Sequence, residues 1–179
     1  MVTRKYTGDY RLENVLDSRG KMKTVSVYSG AFFRFTESGE RLRRTKSLAA
    51  VLTVLSAAAG LIPLFINTPI VHNWFVTVPF VCGLLPLAWE IMSVFLILTA
   101  KERVKREERD KMTPRLTLAS LLVLILTVIS LAGQLWFCIR NAVCAADMAV
   151  TACTAVLILV SGLLFLQKKP LQMEQVPSE

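Results

Sequence analysis

The chain has 179 residues, 54% of them hydrophobic, and a formal charge of +8. It is too apolar for an ordinary soluble domain and too charged to lie wholly in hydrocarbon, so its charges must be segregated along the sequence.

The first 46 residues are basic and contain no long apolar run. Turn signals at Asp17-Ser18-Arg19-Gly20 and Ser29-Gly30 separate three short stretches, Tyr10 to Leu16, Lys21 to Tyr28 and Ala31 to Thr36. Val25, Val27, Phe32, Phe33 and Phe35 supply the β-branched and aromatic residues of strands, which predicts a small β-hairpin or meander. So small a sheet cannot bury enough surface to stand alone. It is expected to rest on the ends of the following helices or on a partner; a disordered basic arm is the alternative. Arg41, Arg43, Arg44 and Lys46 close the region, where each would attract anionic lipid headgroups by about 1 kcal/mol. Lipid is the nearer polyanion, so no nucleic-acid partner is expected.

Four apolar segments follow, at 48–66, 75–99, 116–139 and 148–166, and among their Asp, Glu, Lys, Arg and His positions only Glu90 is filled. Each approaches the ~20 residues that cross a hydrocarbon core. With no water to satisfy the backbone there, such segments must be helical. The expected fold is an all-α integral membrane protein, with four transmembrane helices in an antiparallel bundle over residues 47–170 and a tail at 171–179. Small residues four apart, Ser56 and Gly60 in the first helix and Ala145, Ala149 and Cys153 in the fourth, suit close helix approach in lipid. Pro79 and Pro86 favour a kink in the second helix.

In the loop 100–115, Glu102 and Arg106, Lys105 and Arg109, and Glu107 and Lys111 stand four apart, which predicts that the second helix continues into water. Thr113 followed by Pro114 reads as an N-cap and first-turn proline, so the third helix is expected to begin there.

Basic residues fall on one side. Eleven Lys or Arg precede the first segment, seven lie between Lys101 and Arg115, and Lys168 and Lys169 follow the fourth, against Arg140 alone on the other side. This bias predicts a plasma-membrane protein with both termini and the central loop in the cytoplasm. Trp74 and Trp136 then fall at the opposite headgroup level, where indoles collect. A first segment preceded by so long a basic region does not have the layout of a cleaved signal peptide.

Catalytic material is sparse. His72 is the one histidine, and no zinc-binding His-Glu-x-x-His, Gly-x-Ser-x-Gly elbow, phosphate-binding glycine loop or Cys-x-x-Cys occurs. No metal, no cofactor and no enzymatic activity are expected. Cys82 and Cys153 read as small apolar residues, whereas Cys138 and Cys144 bracket an outer turn and are expected to form a disulfide.

Glu90 is the sharpest signal. A charge near the middle of a membrane helix costs at least ~2.5 kcal/mol, so such a residue faces the bundle interior, a cavity or a partner. No Lys, Arg or His lies at its depth. The partners expected for it are the hydroxyls of Ser56, Thr127 and Ser130, with the Trp89 indole alongside. Hydroxyls cannot neutralise a carboxylate, so the neutral acid is the expected resting form. The first functional reading is a non-enzymatic scaffold, regulator or accessory subunit of a membrane complex, engaging lipid and a protein partner or further copies of itself. The second is a small oligomeric proton-coupled transporter in which Glu90, with Ser56, Thr127 and Ser130, forms a proton or ion site.

Overall fold

A computed structural model of the chain describes residues 4–16, 22–37, 39–100, 103–167 and 171–176. It is mostly helical, with four helices, α1 (Gly39–Leu61), α2 (Trp74–Thr99), α3 (Arg106–Arg140) and α4 (Ala145–Leu166), all long and apolar enough to cross a membrane. Each packs against its neighbours in chain order, and α4 returns against α1 to close the bundle.

The packing follows from spacing. Along α2 the buried residues Val76, Phe80, Gly83, Leu87, Glu90, Val94 and Ile97 alternate steps of four and three, the rhythm that keeps one seam of a helix turned toward its partners. Pro79 and Pro86 both lie inside this continuous helix. On α1 the expected small-residue face is used: Ser56 and Gly60 are buried, and a Cβ at Gly60 would stand 2.6 Å from Leu87 Cδ2. On α4 it is not. Ala145 and Ala149 are exposed, and the buried face runs instead through Asp147, Val150, Thr154 and Leu157.

One end of the bundle, here the sheet end, gathers three distant parts of the chain. Strand β3 (Phe32–Phe35) pairs antiparallel with β4 (Val104–Lys105) on one side and β5 (Met173–Gln175) on the other. Phe33 and Phe35 alternate inward, and Phe35 joins Ala49, Val94, Ile97, Val104, Leu116 and Leu171 in the core that seals this end. The Lys46 ammonium lies 4.9 Å from the Phe35 ring centre and donates to Ala100 O at 3.4 Å.

Strands β1 (Tyr10–Leu16) and β2 (Met22–Tyr28) form a separate antiparallel hairpin. Of the β-hairpin or meander expected from the sequence, the hairpin forms, and the third stretch joins a different sheet. Ser29-Gly30 makes no hairpin, because both amides donate to Asp9 O, at 2.9 and 3.1 Å, and the chain crosses to the second sheet. Gly30 fits because a Cβ there would meet Asp9 Cβ at 2.7 Å. The turn expected at Asp17-Ser18-Arg19-Gly20 lies outside the described residues, as do Lys21, Lys101, Glu102, Lys168 and Lys169. The expected tail at 171–179 is ordered where β5 pairs with β3.

The loop 100–115 also departs from expectation. α2 ends at Thr99, Val104 and Lys105 turn extended to pair with β3, and α3 starts at Arg106, ahead of Thr113. Glu107 and Glu108 in its first turn suit the helix dipole, and Lys111 pairs with Glu107 at 2.6 Å within this helix. Thr113 caps nothing; its hydroxyl donates to Leu171 O at 3.1 Å, tying α3 to the C-terminal segment, and Pro114 is accommodated inside the helix. Lys105 and Arg109, of like charge, do not pair. Lys105 lies over the Tyr10 and Tyr28 rings and Arg109 over Phe33.

Candidate functional site

Glu90 occupies a core position of the α2 seam and is 0% exposed. At 1.5 Å per residue it sits ~13 Å from the sheet end of its helix. Toward that end the core around Val94, Ile97 and Met112 closes over it; toward the other, the loop end, Leu87, Val123 and Leu157 form a second apolar cluster with Ala59 and Phe80. The carboxyl therefore lies between two apolar clusters, with the buried hydroxyls of Ser93, Ser120 and Thr127 set among them.

Two hydroxyls approach it, Ser120 of α3 and Ser56 of α1. Neither closes a hydrogen bond of proper geometry, so both carboxyl oxygens and the Ser56 hydroxyl are buried without a hydrogen-bond partner among the described residues. Ser120 donates to Leu116 O at 2.9 Å instead, and Ser93, one turn on along α2, donates to Trp89 O at 2.7 Å. The available chemistry is that of one carboxyl and spare hydroxyl lone pairs: it can hold a proton or accept a donor. Among the described residues no three His, Cys, Asp or Glu side chains converge as metal ligands would.

Of the residues expected around Glu90, the structure brings Ser56 to it and keeps Thr127 and Ser130 away. Ser130 donates to Val76 O at 2.9 Å, and Val76 is fourteen positions, or ~21 Å, along α2 from Glu90. In an antiparallel pair that contact sets Glu90 level with Leu116 and Ser120. Thr127 bonds back to Val123 O at 2.7 Å within its own helix. Trp89 is also turned away, half exposed, with the Arg115 guanidinium 5.9 Å from its ring centre.

A second polar group lies nearer the loop end. Gln134 of α3 donates from Nε2 to Thr154 Oγ1 of α4 at 2.9 Å and to Ser130 Oγ at 3.3 Å. Beyond it Asp147 caps α4: one carboxylate oxygen accepts Cys144 N at 3.1 Å and Cys144 Sγ at 3.0 Å, and the other accepts Ile70 N at 3.4 Å. The disulfide expected between Cys138 and Cys144 is absent. Both are free thiols, and Cys144 is occupied as the cap of α4. Of the expected lipid-contact residues, Arg41, Arg43 and Arg44 are exposed on the first turns of α1, Arg44 beside Glu40 at 3.6 Å, while Lys46 turns inward to the sheet.

Ser120, Gln134 and Asp147 belong to no sequence motif. Their signal was a period: Ser120, Thr127 and Gln134 are seven apart, as are Asp147, Thr154 and Ser161, and all six are buried. Compared with protein-family models, with curated proteins and with solved structures, the chain matches none.

Proposed function

We propose that the chain is a non-enzymatic multi-pass protein of the plasma membrane, with its sheet end in the cytoplasm, acting as a scaffold, regulator or accessory subunit of a membrane complex. The sidedness of Lys and Arg supports the orientation. Arg41, Arg43 and Arg44 would then meet anionic headgroups.

The observation that carries the reading is the β1–β2 hairpin. It projects with Leu12 73% and Met22 78% exposed and with Val15, Val25 and Val27 also open. A two-stranded ribbon is marginal in water by itself, and its open edges are templates for a further strand. A protein partner adding a strand, or a second copy of the chain, would cover it. The test is purification in mild detergent of the native chain and of Leu12→Asp and Val25→Asp. A stoichiometric partner or oligomer that is lost in both variants supports the reading; a chain that purifies alone and unchanged by either substitution refutes it.

The transporter reading has one observation in its favour, the unpartnered carboxyl of Glu90. Against it stands the apolar core around Val94, Ile97 and Met112 toward the sheet end, since a proton path needs polar groups or water on both sides. Proton flux in liposomes that disappears in Glu90→Gln would decide for transport.

A further inference from the structure

Between the 3-10 turn Ile62–Phe65 and helices α2, α3 and α4 lies a cavity of about 200 Å³, walled by Pro63, Ile66, Val76, Phe80, Val150 and Gln134. It is separate from the Glu90 site, lying beyond the Leu87 layer. Its polar lining side chains are Gln134, which is 1% exposed, and Thr77, whose hydroxyl donates to Val71 O; the other walls are apolar.

The amide of Gln134 can be oriented by its neighbours. Thr154 Oγ1 donates to Val150 O at 3.0 Å and Ser130 Oγ donates to Val76 O at 2.9 Å, so both hydroxyl protons are spent. Each hydroxyl can only accept from Gln134, which requires Nε2 to face both of them. Oε1 is then left buried with no partner among the described residues. Buried acceptors of this kind are rarely left unmade.

We propose that this cavity binds a neutral amphiphile that donates one hydrogen bond to Gln134 Oε1 and fills the apolar walls with its hydrocarbon. A charged ligand does not fit, because no Lys or Arg lines the cavity and Asp147 already accepts three hydrogen bonds. A single water would leave the apolar wall bare. Dry cavities of about 150 Å³ take up benzene, so this one holds a body of roughly that size with a short polar arm. Leu64 and Val81, both half exposed, stand where the cavity meets the outside of the bundle. The ligand thus arrives from the surrounding phase, which, resting on the membrane reading above, is the bilayer: a hydroxyl-bearing neutral lipid presents the required donor, with a benzene-sized part of it inside the cavity and the rest of its tail left in the bilayer past Leu64 and Val81.

Benzyl alcohol and toluene serve as matched probes, with and without the donor, on the full chain in detergent. The readout is the Gln134 side-chain amide resonance in the nitrogen-labelled protein, together with thermal unfolding. A saturable shift with benzyl alcohol, at least tenfold weaker with toluene, supports the site. Gln134→Leu should weaken benzyl alcohol binding about tenfold, read by unfolding temperature, with toluene unaffected. Val81→Trp, placed at the exposed rim where it does not burden the core, should abolish binding of both. Linear, unsaturable responses that are equal for the two probes and unchanged by Val81→Trp would overturn the proposal. Membrane residence is read separately by alkaline carbonate extraction. A chain released by carbonate that still binds benzyl alcohol saturably would sink the membrane reading and leave the cavity standing.

Discussion

Replacing Glu90 by leucine should stabilise the bundle. The carboxyl is 0% exposed, and neither oxygen has a hydrogen-bond partner among the described residues. An unmade buried hydrogen bond costs ~1–3 kcal/mol, so taking the low end for each oxygen, removal of the group returns about 2 kcal/mol. Little is lost in exchange: Ser120 already bonds to Leu116 O, and the Ser56 hydroxyl closes no hydrogen bond among the described residues for the substitution to break. Leucine has nearly the same volume and continues the apolar layers around Leu87 and Val94, so the packing term is small. At ~2–4 °C per kcal/mol for a chain of this length, the midpoint should rise by about 4–8 °C. Thermal unfolding of both proteins in one detergent measures this, with Glu90→Gln expected within about 1 kcal/mol of the parent. The cycle with Ser56→Ala closes the test. A destabilised Glu90→Leu, or a Glu90–Ser56 coupling above about 1 kcal/mol, would show that the carboxyl makes a net favourable bond and would refute the reasoning.

The Tyr28 hydroxyl donates to Ala31 O at 2.8 Å and accepts Arg106 N at 3.1 Å, joining the hairpin to α3. Tyr28→Phe should loosen that junction by about 1–2 kcal/mol, seen as faster hydrogen exchange at Arg106. Burial pushes the Tyr28 hydroxyl above its usual pKa, against the lowering effect of the Arg106 amide. The folded chain therefore holds this proton more tightly than the unfolded chain. The junction's contribution is complete below pH 10 and falls as pH rises beyond it, a dependence that Tyr28→Phe should remove. Gly60→Ala places a methyl group 2.6 Å from Leu87 Cδ2. Overpacking of ~1–3 kcal/mol outweighs a helix-propensity gain of up to ~1 kcal/mol, so a net loss is expected in unfolding assays and should shrink in a Leu87→Ala background. Asp147→Asn gives up the charge on the acceptor of Cys144 and Ile70 and should destabilise by ~1 kcal/mol. In the parent protein, maleimide should label Cys138 and Cys144 without prior reduction, and protection of both would restore the expected staple.

The four long helices were legible because an uninterrupted apolar run of this length has one way to satisfy its backbone in hydrocarbon. Glu90 was legible for the same reason, as the lone charged residue in the four runs. What was missed depended on register. Reading each helix from the limits of its apolar run put residue 90 level with Thr127 and Ser130, but α3 begins at Arg106, and the bond from Ser130 to Val76 O slides Glu90 down to Ser120. The start of α3 was misread because Thr113-Pro114 satisfies the local rule for an N-cap, while its competitor, Val104 and Lys105 pairing with Phe33 and Phe32, joins residues far apart in sequence. The same distance hid β5. Nothing local to Met173–Gln175 calls for a strand; it becomes one because Phe33, Arg34 and Phe35 offer an edge.

Register also explains why so much polarity is kept in an apolar core. If the helices pack in lipid, no hydrophobic force distinguishes one alignment from another, and polar core positions are a known means of choosing, at a cost in stability. The ladders of α3 and α4 cannot choose alone. Both repeat every seven residues, so a slip of seven would carry Gln134 from Thr154 to Ser161 or Asp147, either of which can accept its amide. Features that do not repeat must break the tie. Gly60 admits Leu87 at one alignment of α1 and α2, and β3 fixes the ends of α2, α3 and α4 by pairing with segments attached to each. A Gly60→Ala chain with β5 removed should therefore lose more than the two changes sum to separately, because each device covers for the other. Simple additivity in a double-mutant cycle would mean that the ladders suffice.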